Sequence, residues 1–336
     1  LDRQVPSVAC IQTGVIIPRT RVAICSRWSS ARDADFLGGI AQTGASLPVS
    51  LPSITREKNY SIIAILFCMT VGMAAVAEAD TDDPKIVLSS DRLVTTRQQS
   101  AIEHEHPETK LKVFGNQLQS THLVGIIAGS VQLGELFEDR FNDELVTYAQ
   151  QNGEEPWVST AANLAGELYR VTVQEKVENV VLSTYGLEID DLSKQHQFKD
   201  EFLNNILAEV SQLEQTIHQN LSILLGGVGP NGHGIYEITN NDMRPKNSMG
   251  YCAIGSGKQP AESEFIKSDY EPSADLTNVL ATVAAANQQA KNASGVGGDP
   301  DYIVVDSARS HIVDDRVEAE LMRRQKDISE QQKQIK

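Results

Sequence analysis

The chain has 336 residues, 40% of them hydrophobic and 22% charged, with 29 Lys+Arg against 45 Asp+Glu and a formal net charge of −16. That acidic balance argues against non-specific binding to nucleic acid or to an anionic membrane, because a polyanion is repelled rather than neutralised. Three of the four cysteines fall within residues 1–68, leaving Cys252 alone in the rest, so neither a disulfide framework nor paired metal-ligand spacing exists. A reducing, cytoplasmic compartment is expected.

Character changes at Met69, the first methionine. Residues 1–68 carry 7 Lys/Arg against 4 Asp/Glu, or +3, whereas residues 69–336 carry 22 against 41, or −19. Residues 1–68 read as a removed propeptide or an upstream segment outside the fold. The apolar run Ser61–Ala77, followed by Ala77-Glu78-Ala79, has the outline of a signal peptide, but its position far from the chain start favours a buried first strand over Thr70–Val76.

Two short apolar strands, Val71–Val76 and Ile86–Ser90, flank the acidic loop Glu78–Pro84, as in a hairpin. Asp91-Arg92-Leu93-Val94-Thr95 continues the second strand. After a polar stretch over Arg97–Glu108, Lys110–Phe114 is a third strand and His122–Ile127 runs apolar toward Ala128-Gly129-Ser130. From Val131 the period becomes helical: Leu133, Leu136, Phe137, Phe141, Leu145 and Val146 recur at spacings of three and four. A second helix is expected over about Thr160–Thr184. A third is expected within Ile189–Gln219, where Phe198, Phe202, Ile206, Val210, Leu213 and Ile217 form one apolar stripe, a packing face that pairs with the second helix as a hairpin. Strands resume at Leu221–Gly227, Gly234–Ile238 and Tyr251–Ile254, helices at about Ala261–Lys267 and Asp275–Ala293, and a last strand at Asp301–Val305. Residues 311–336 read as a polar helix or tail. Strands, helices, strands, helices and a strand in that order predict two sheets packed face to face with helices outside, an α+β fold of αββα type.

Several stretches in this order resemble the proteasome β-subunit and HslV-like family of N-terminal-nucleophile (Ntn) hydrolases. They are Met69-Thr70-Val71-Gly72-Met73, Ser90-Asp91-Arg92-Leu93-Val94-Thr95, Lys110-Leu111 with Phe114, and Val124-Gly125-Ile126-Ile127-Ala128-Gly129. Leu225-Gly226-Gly227-Val228 with Gly234–Ile238, Ala253-Ile254-Gly255-Ser256-Gly257, Ala293-Ser294-Gly295 and Tyr302–Asp306 complete the series. The resemblance covers about Met69–Asp306, with the helical segment 189–219 as an insertion within a domain of residues 69–310. It implies a four-layer αββα sandwich and a threonine-type peptidase or amidohydrolase.

In such enzymes a terminal Thr hydroxyl attacks an amide carbonyl while its own α-amine, which titrates near neutrality, takes the proton. The resemblance makes Thr70 the nucleophile, exposed by removal of Met69, with Asp91 and Lys110 as the carboxylate and ammonium beneath it. The Gly125 N–H would contact the oxyanion, and Ser256 and Ser294 would steady the terminal amine. Matching Val71-Gly72 directly puts Cys68 on the nucleophile position instead. Lys291 and Asn292 stand where the family carries a carboxylate, which favours a catalytically inactive scaffold or ring subunit. An Ntn acylase acting on a small amide is a third reading. The resemblance also implies self-association into rings around a peptide or protein substrate; no cofactor and no metal is implied. The pair Asp91 and Lys110 can equally be an ordinary strand ion pair, and Ser256 can serve a tight turn. His104 and His106 read as solvated rather than metal-binding, His233 as a turn residue, and Gly295–Gly298 lacks the helix and Lys-Ser/Thr of a phosphate loop.

Overall fold

Seven residues, Val71–Ala77, run without one polar side chain, and a strand of that composition needs apolar cover on both faces. In a computed structural model they form strand β1, and every residue of it is buried. The structure describes residues 70–97, 101–105, 109–239, 242–293, 295–313, 320 and 323. These belong to one compact unit spanning Ser61–Lys336. The segment 1–68 and nearly all of the expected C-terminal tail lie outside the described residues.

β1 pairs antiparallel with β2 (Lys85–Asp91), through Gly72 opposite Ser90, and with β10 (Tyr251–Gly255), through Val71 opposite Gly255. With β11 (Pro300–Val305) and β12 (Ser310–Ile312) they make a five-stranded antiparallel sheet in the order β10-β1-β2-β11-β12. The second sheet, also antiparallel, has the order β5-β6-β7-β8-β9: Leu111–Phe114, His122–Gly129, Leu221–Gly229, Gly232–Thr239 and Asp242–Pro245.

Strand alternation divides the core. Ala74, Val76, Ile86, Leu88, Cys252 and Ile254 of the first sheet share one buried cluster with Val124, Ile126, Leu224 and Ile235 of the second. On the opposite face of the first sheet, Val71, Met73, Ala75 and Val87 pack with Phe265 of helix α4 (Lys258–Lys267) and with Val279, Val283 and Ala286 of α5 (Leu276–Ala290). On the opposite face of the second, Leu123, Leu225 and Ile238 meet Phe137, Phe141 and Leu145 of α1 (Val131–Asn152), and Ala161, Ala165 and Tyr169 of α2 (Val158–Val180). The expected α+β class, two antiparallel sheets with helices, is therefore observed.

The helices end where local chemistry ends them. α1 stops at Gly153, whose positive φ of 70° lets its N–H reach the Ala149 carbonyl, and Asp275 caps α5 by accepting from the Asn278 N–H. The expected helix over 189–219 is broken. Ile189–Gln197 is 3₁₀ and contains a non-helical Lys194, and the α-helix α3 occupies Asp200–Asn220. Its apolar stripe splits between two partners: Ile206 and Val210 pack with Val177, Val181, Leu182 and Leu192, while Ile217 joins the main helical face of the second sheet.

Two further expectations need correction. Leu93-Val94-Thr95 does not prolong β2. The chain leaves the sheet at Arg92, whose guanidinium bonds the Asp301 carboxylate of β11 (Nε at 2.9 Å), and Leu93–Arg97 becomes a separate strand, β3. It pairs with β4 (Ala101–Glu105), inside the stretch read as merely polar. Strands β9 and β12 were likewise not anticipated. They are edge strands of four and three residues, where polar side chains and a proline are tolerated, and β12 carries the fold past residue 310.

One carboxylate fastens the turn before β6. Glu155 accepts the Gln119 N–H at 2.5 Å, the Ser120 N–H at 2.8 Å, the Ser120 hydroxyl at 2.7 Å and the Thr121 N–H at 3.0 Å. Burial opposes its ionisation, but these donors outweigh burial and hold the carboxyl below its usual range. A depressed folded pKa gives stability that is present above the ordinary Glu value and is lost as pH falls through the depressed one. Glu155→Ala is expected to cost about 1–3 kcal/mol at neutral pH and much less in acid, read from urea midpoints at the two pH values.

Candidate active site

Thr70 immediately precedes β1, Asp91 ends β2 and Lys110 immediately precedes β5, so three strand termini deliver them. All three meet. The Thr70 hydroxyl donates to Asp91 Oδ1, and Lys110 Nζ stands 2.6 Å from Thr70 Oγ1 and 2.9 Å from Asp91 Oδ1. The third donor of the ammonium goes to the Leu93 carbonyl at 2.5 Å. Asp91 also accepts the Val71 N–H at 3.1 Å on Oδ1 and the Gly297 N–H at 2.8 Å on Oδ2. Thr70 is buried, Asp91 is 1% exposed and the Lys110 side chain 11% exposed. Each charge is thus desolvated but fully bonded, the condition under which a buried ion pair is tolerated.

The Thr70 backbone is held from the other side. The Ser256 hydroxyl donates to the Thr70 carbonyl at 3.3 Å and the Gly257 N–H approaches the same oxygen at 3.5 Å. Ser256 therefore reaches Thr70 through its carbonyl. Gly255, at φ 83°, leaves no room for a side chain, since a Cβ there would lie 2.1 Å from the Thr70 carbonyl oxygen.

For Gly125 the backbone geometry does not fit the expected oxyanion contact. It sits inside β6 with Lys112 of β5 and Leu225 of β7 as partners on either side, which directs its N–H along the sheet. A Cβ on it would strike the Phe114 ring, on the helix-covered face, whereas its neighbours Val124 and Ile126 face the other sheet. Ser294 and Cys68 lie outside the described residues, as do His106 and the side chain of His104. Among the described residues no group of three or more His, Cys, Asp or Glu is placed to hold a metal ion, and no helix is long and apolar enough to cross a membrane. Burial between the sheets pushes the Cys252 thiol up to about 12, so it is not a nucleophile at neutral pH.

The backbone contributors escaped sequence reasoning. Gly297 has a signal in the Gly295–Gly298 string, whose purpose is close approach: a Cβ on Gly297 would stand 2.7 Å from Leu93 Cβ and 3.3 Å from Asp91 Oδ2. The Leu93 carbonyl and the Gly257 N–H carry no side-chain signature at all.

A hydroxyl clamped between a carboxylate and an ammonium can be activated for attack on a carbonyl, given a base to take its proton. As the sequence stands, the Thr70 nitrogen is a peptide amide joined to Met69 and cannot be that base. No protein-family model matches this chain, and no curated protein matches it.

Proposed function

We propose that the chain is an Ntn hydrolase of proteasome type, a four-layer αββα sandwich that cleaves peptide or amide bonds with Thr70 once the residues before it are removed. The observation that carries this reading is the Thr70 hydroxyl held between Lys110 and Asp91 at the N-terminal end of β1. Removing Met69 would turn the Thr70 amide into a free α-amine. The amine accepts the hydroxyl proton as Oγ1 bonds to the substrate carbonyl carbon, then gives that proton to the departing amine as the C–N bond breaks. Water hydrolyses the resulting ester and restores the threonine. Lys110 stabilises the alkoxide character that develops on Oγ1, and Asp91 keeps the ammonium in position. The acidic charge suits a cytoplasmic protein, and self-association and action on peptides are what the family resemblance implies.

Lys291 and Asn292, at the end of α5, stand where the family resemblance calls for a carboxylate, and this favours a second reading, a non-catalytic ring or scaffold subunit. The two separate on one comparison: turnover of a fluorogenic peptide panel and a small-amide panel by protein beginning at Thr70 and by protein retaining Met69. Turnover only with the free Thr70 amine supports the hydrolase, the panel used distinguishing peptidase from acylase. No turnover by either form supports the scaffold.

A further inference from the structure

A second buried charge cluster lies outside the Thr70 site. Glu237 of β8 is 5% exposed and faces the space between the sheets beside Ile235 and Cys252. Its carboxylate binds two ammoniums, Lys246 at 2.8 Å, just beyond β9, and Lys258 at 2.5 Å, the first residue of α4. Glu262, one turn along α4, is 3.9 Å from the Lys258 ammonium; Cys252 lies in the same cluster, and Arg244, opposite Glu237 in the β8–β9 ladder, adds a further positive charge nearby while bonding Asp242. Lys258 follows directly on Gly257, and the Ser256-Gly257 turn holds the Thr70 carbonyl. That turn has little slack, because the Gly257 Cα sits where an added Cβ would be 2.7 Å from Val71 Cβ and 3.0 Å from Ala290 Cβ.

We infer that Glu237 is a positioning residue for Thr70: by gripping Lys258 at the start of α4 it fixes the turn that holds the Thr70 carbonyl, and so sets where the hydroxyl stands over Lys110. The effect on catalysis rests on the hydrolase reading above; the mechanical link does not. Lys246 bonds the same carboxylate from just beyond β9; among the described residues it forms no hydrogen bond or ion pair with α4 or the turn, feeling Glu262 of α4 only through space, and therefore serves as the control.

Two readouts on the purified full chain and on its Thr70-initiated form test the inference: amide hydrogen exchange at Gly257, and kcat with KM on the best substrate. Glu237→Gln is expected to accelerate exchange at Gly257 and to lower kcat about tenfold with KM little changed, because displacement of a reacting group costs rate rather than binding. Lys258→Met should do the same, and the double variant should be no worse than either single one. Lys246→Met should leave both readouts near wild type. Unchanged exchange at Gly257 in Glu237→Gln, or equal acceleration in Lys246→Met, overturns the inference, the latter by revealing general loosening. If Glu237→Gln fails to fold, Lys258→Met decides the link alone. Absence of any turnover in the wild type defeats the hydrolase reading, while exchange at Gly257 still judges the link between Glu237 and the turn.

Discussion

Under the proposed hydrolase mechanism, Thr70→Ala is expected to lower peptide or amide turnover by about 10³-fold or more, since removing a nucleophile leaves only the contributions of binding and surrounding dipoles. The variant should remain folded. Lys110 and Asp91 stay 2.9 Å apart, and Lys110 keeps the Leu93 carbonyl as a further acceptor. The ammonium loses one partner, a cost of about 1 kcal/mol. Thr70→Ser retains the hydroxyl, so it should keep a substantial fraction of the activity, with its loss confined to the freedom gained when the Thr70 methyl is removed. The measurement is kcat for the three proteins, each beginning at residue 70, beside their urea midpoints. Full turnover by the alanine variant would remove Thr70 from the chemistry.

The largest effect on stability is expected at Asp91. Four donors converge on it: the Thr70 hydroxyl, the Val71 and Gly297 N–H groups and the Lys110 ammonium. Asp91→Leu strands that ammonium in a desolvated position and leaves two backbone N–H groups without their acceptor. Breaking one side of a buried ion pair in this way costs about 3–5 kcal/mol. The second-site variant Asp91→Leu/Lys110→Met removes the orphaned charge along with its partner. It should recover part of the loss, because an apolar pair of similar volume needs no desolvation. Denaturant unfolding at neutral pH measures both, and a cost under about 1 kcal/mol for Asp91→Leu would show that the pair is solvated in solution. Asp91→Asn should fall between the two, since its amide keeps one acceptor oxygen but turns a donor toward another of the four.

Legibility in the sequence followed the range of the forces involved. The unbroken apolar run at Val71–Ala77 and the three-and-four spacing of Phe137, Phe141 and Leu145 identify a doubly covered strand and an amphipathic helix without reference to anything else. Thr70, Asp91 and Lys110 were legible for a related reason: each lies beside or at the end of a recognisable strand, in an order resembling a known constellation. The glycines at 255 and 297 were visible as residue types, but their use was not, because what they make room for is a backbone oxygen in one case and a carboxylate in the other.

What only tertiary structure decided is where the chain leaves one partner for another. Leu93–Arg97 has the composition to continue β2, yet Arg92 turns toward Asp301 on β11 and the following residues pair with Ala101–Glu105 instead. The stripe of 198–217 looks continuous, yet it divides between two buried clusters and the α-helix begins only at Asp200. Gly125 shows the limit most plainly: its neighbours in sequence suit an oxyanion contact, but strand alternation turns it toward Phe114 and the β5 and β7 ladders occupy its backbone. Residue pattern by itself determined the strongly apolar strands, the strongly periodic helices and which side chains could react, since those depend on periodicity and chemical type; the short polar strands β4, β9 and β12 carried no such pattern. Pairing partners, facing direction and the convergence of Thr70, Asp91, Lys110 and the Gly297 N–H depend on contacts between residues far apart in the chain, Gly297 and Asp91 by 206 positions, and no local pattern carries that distance.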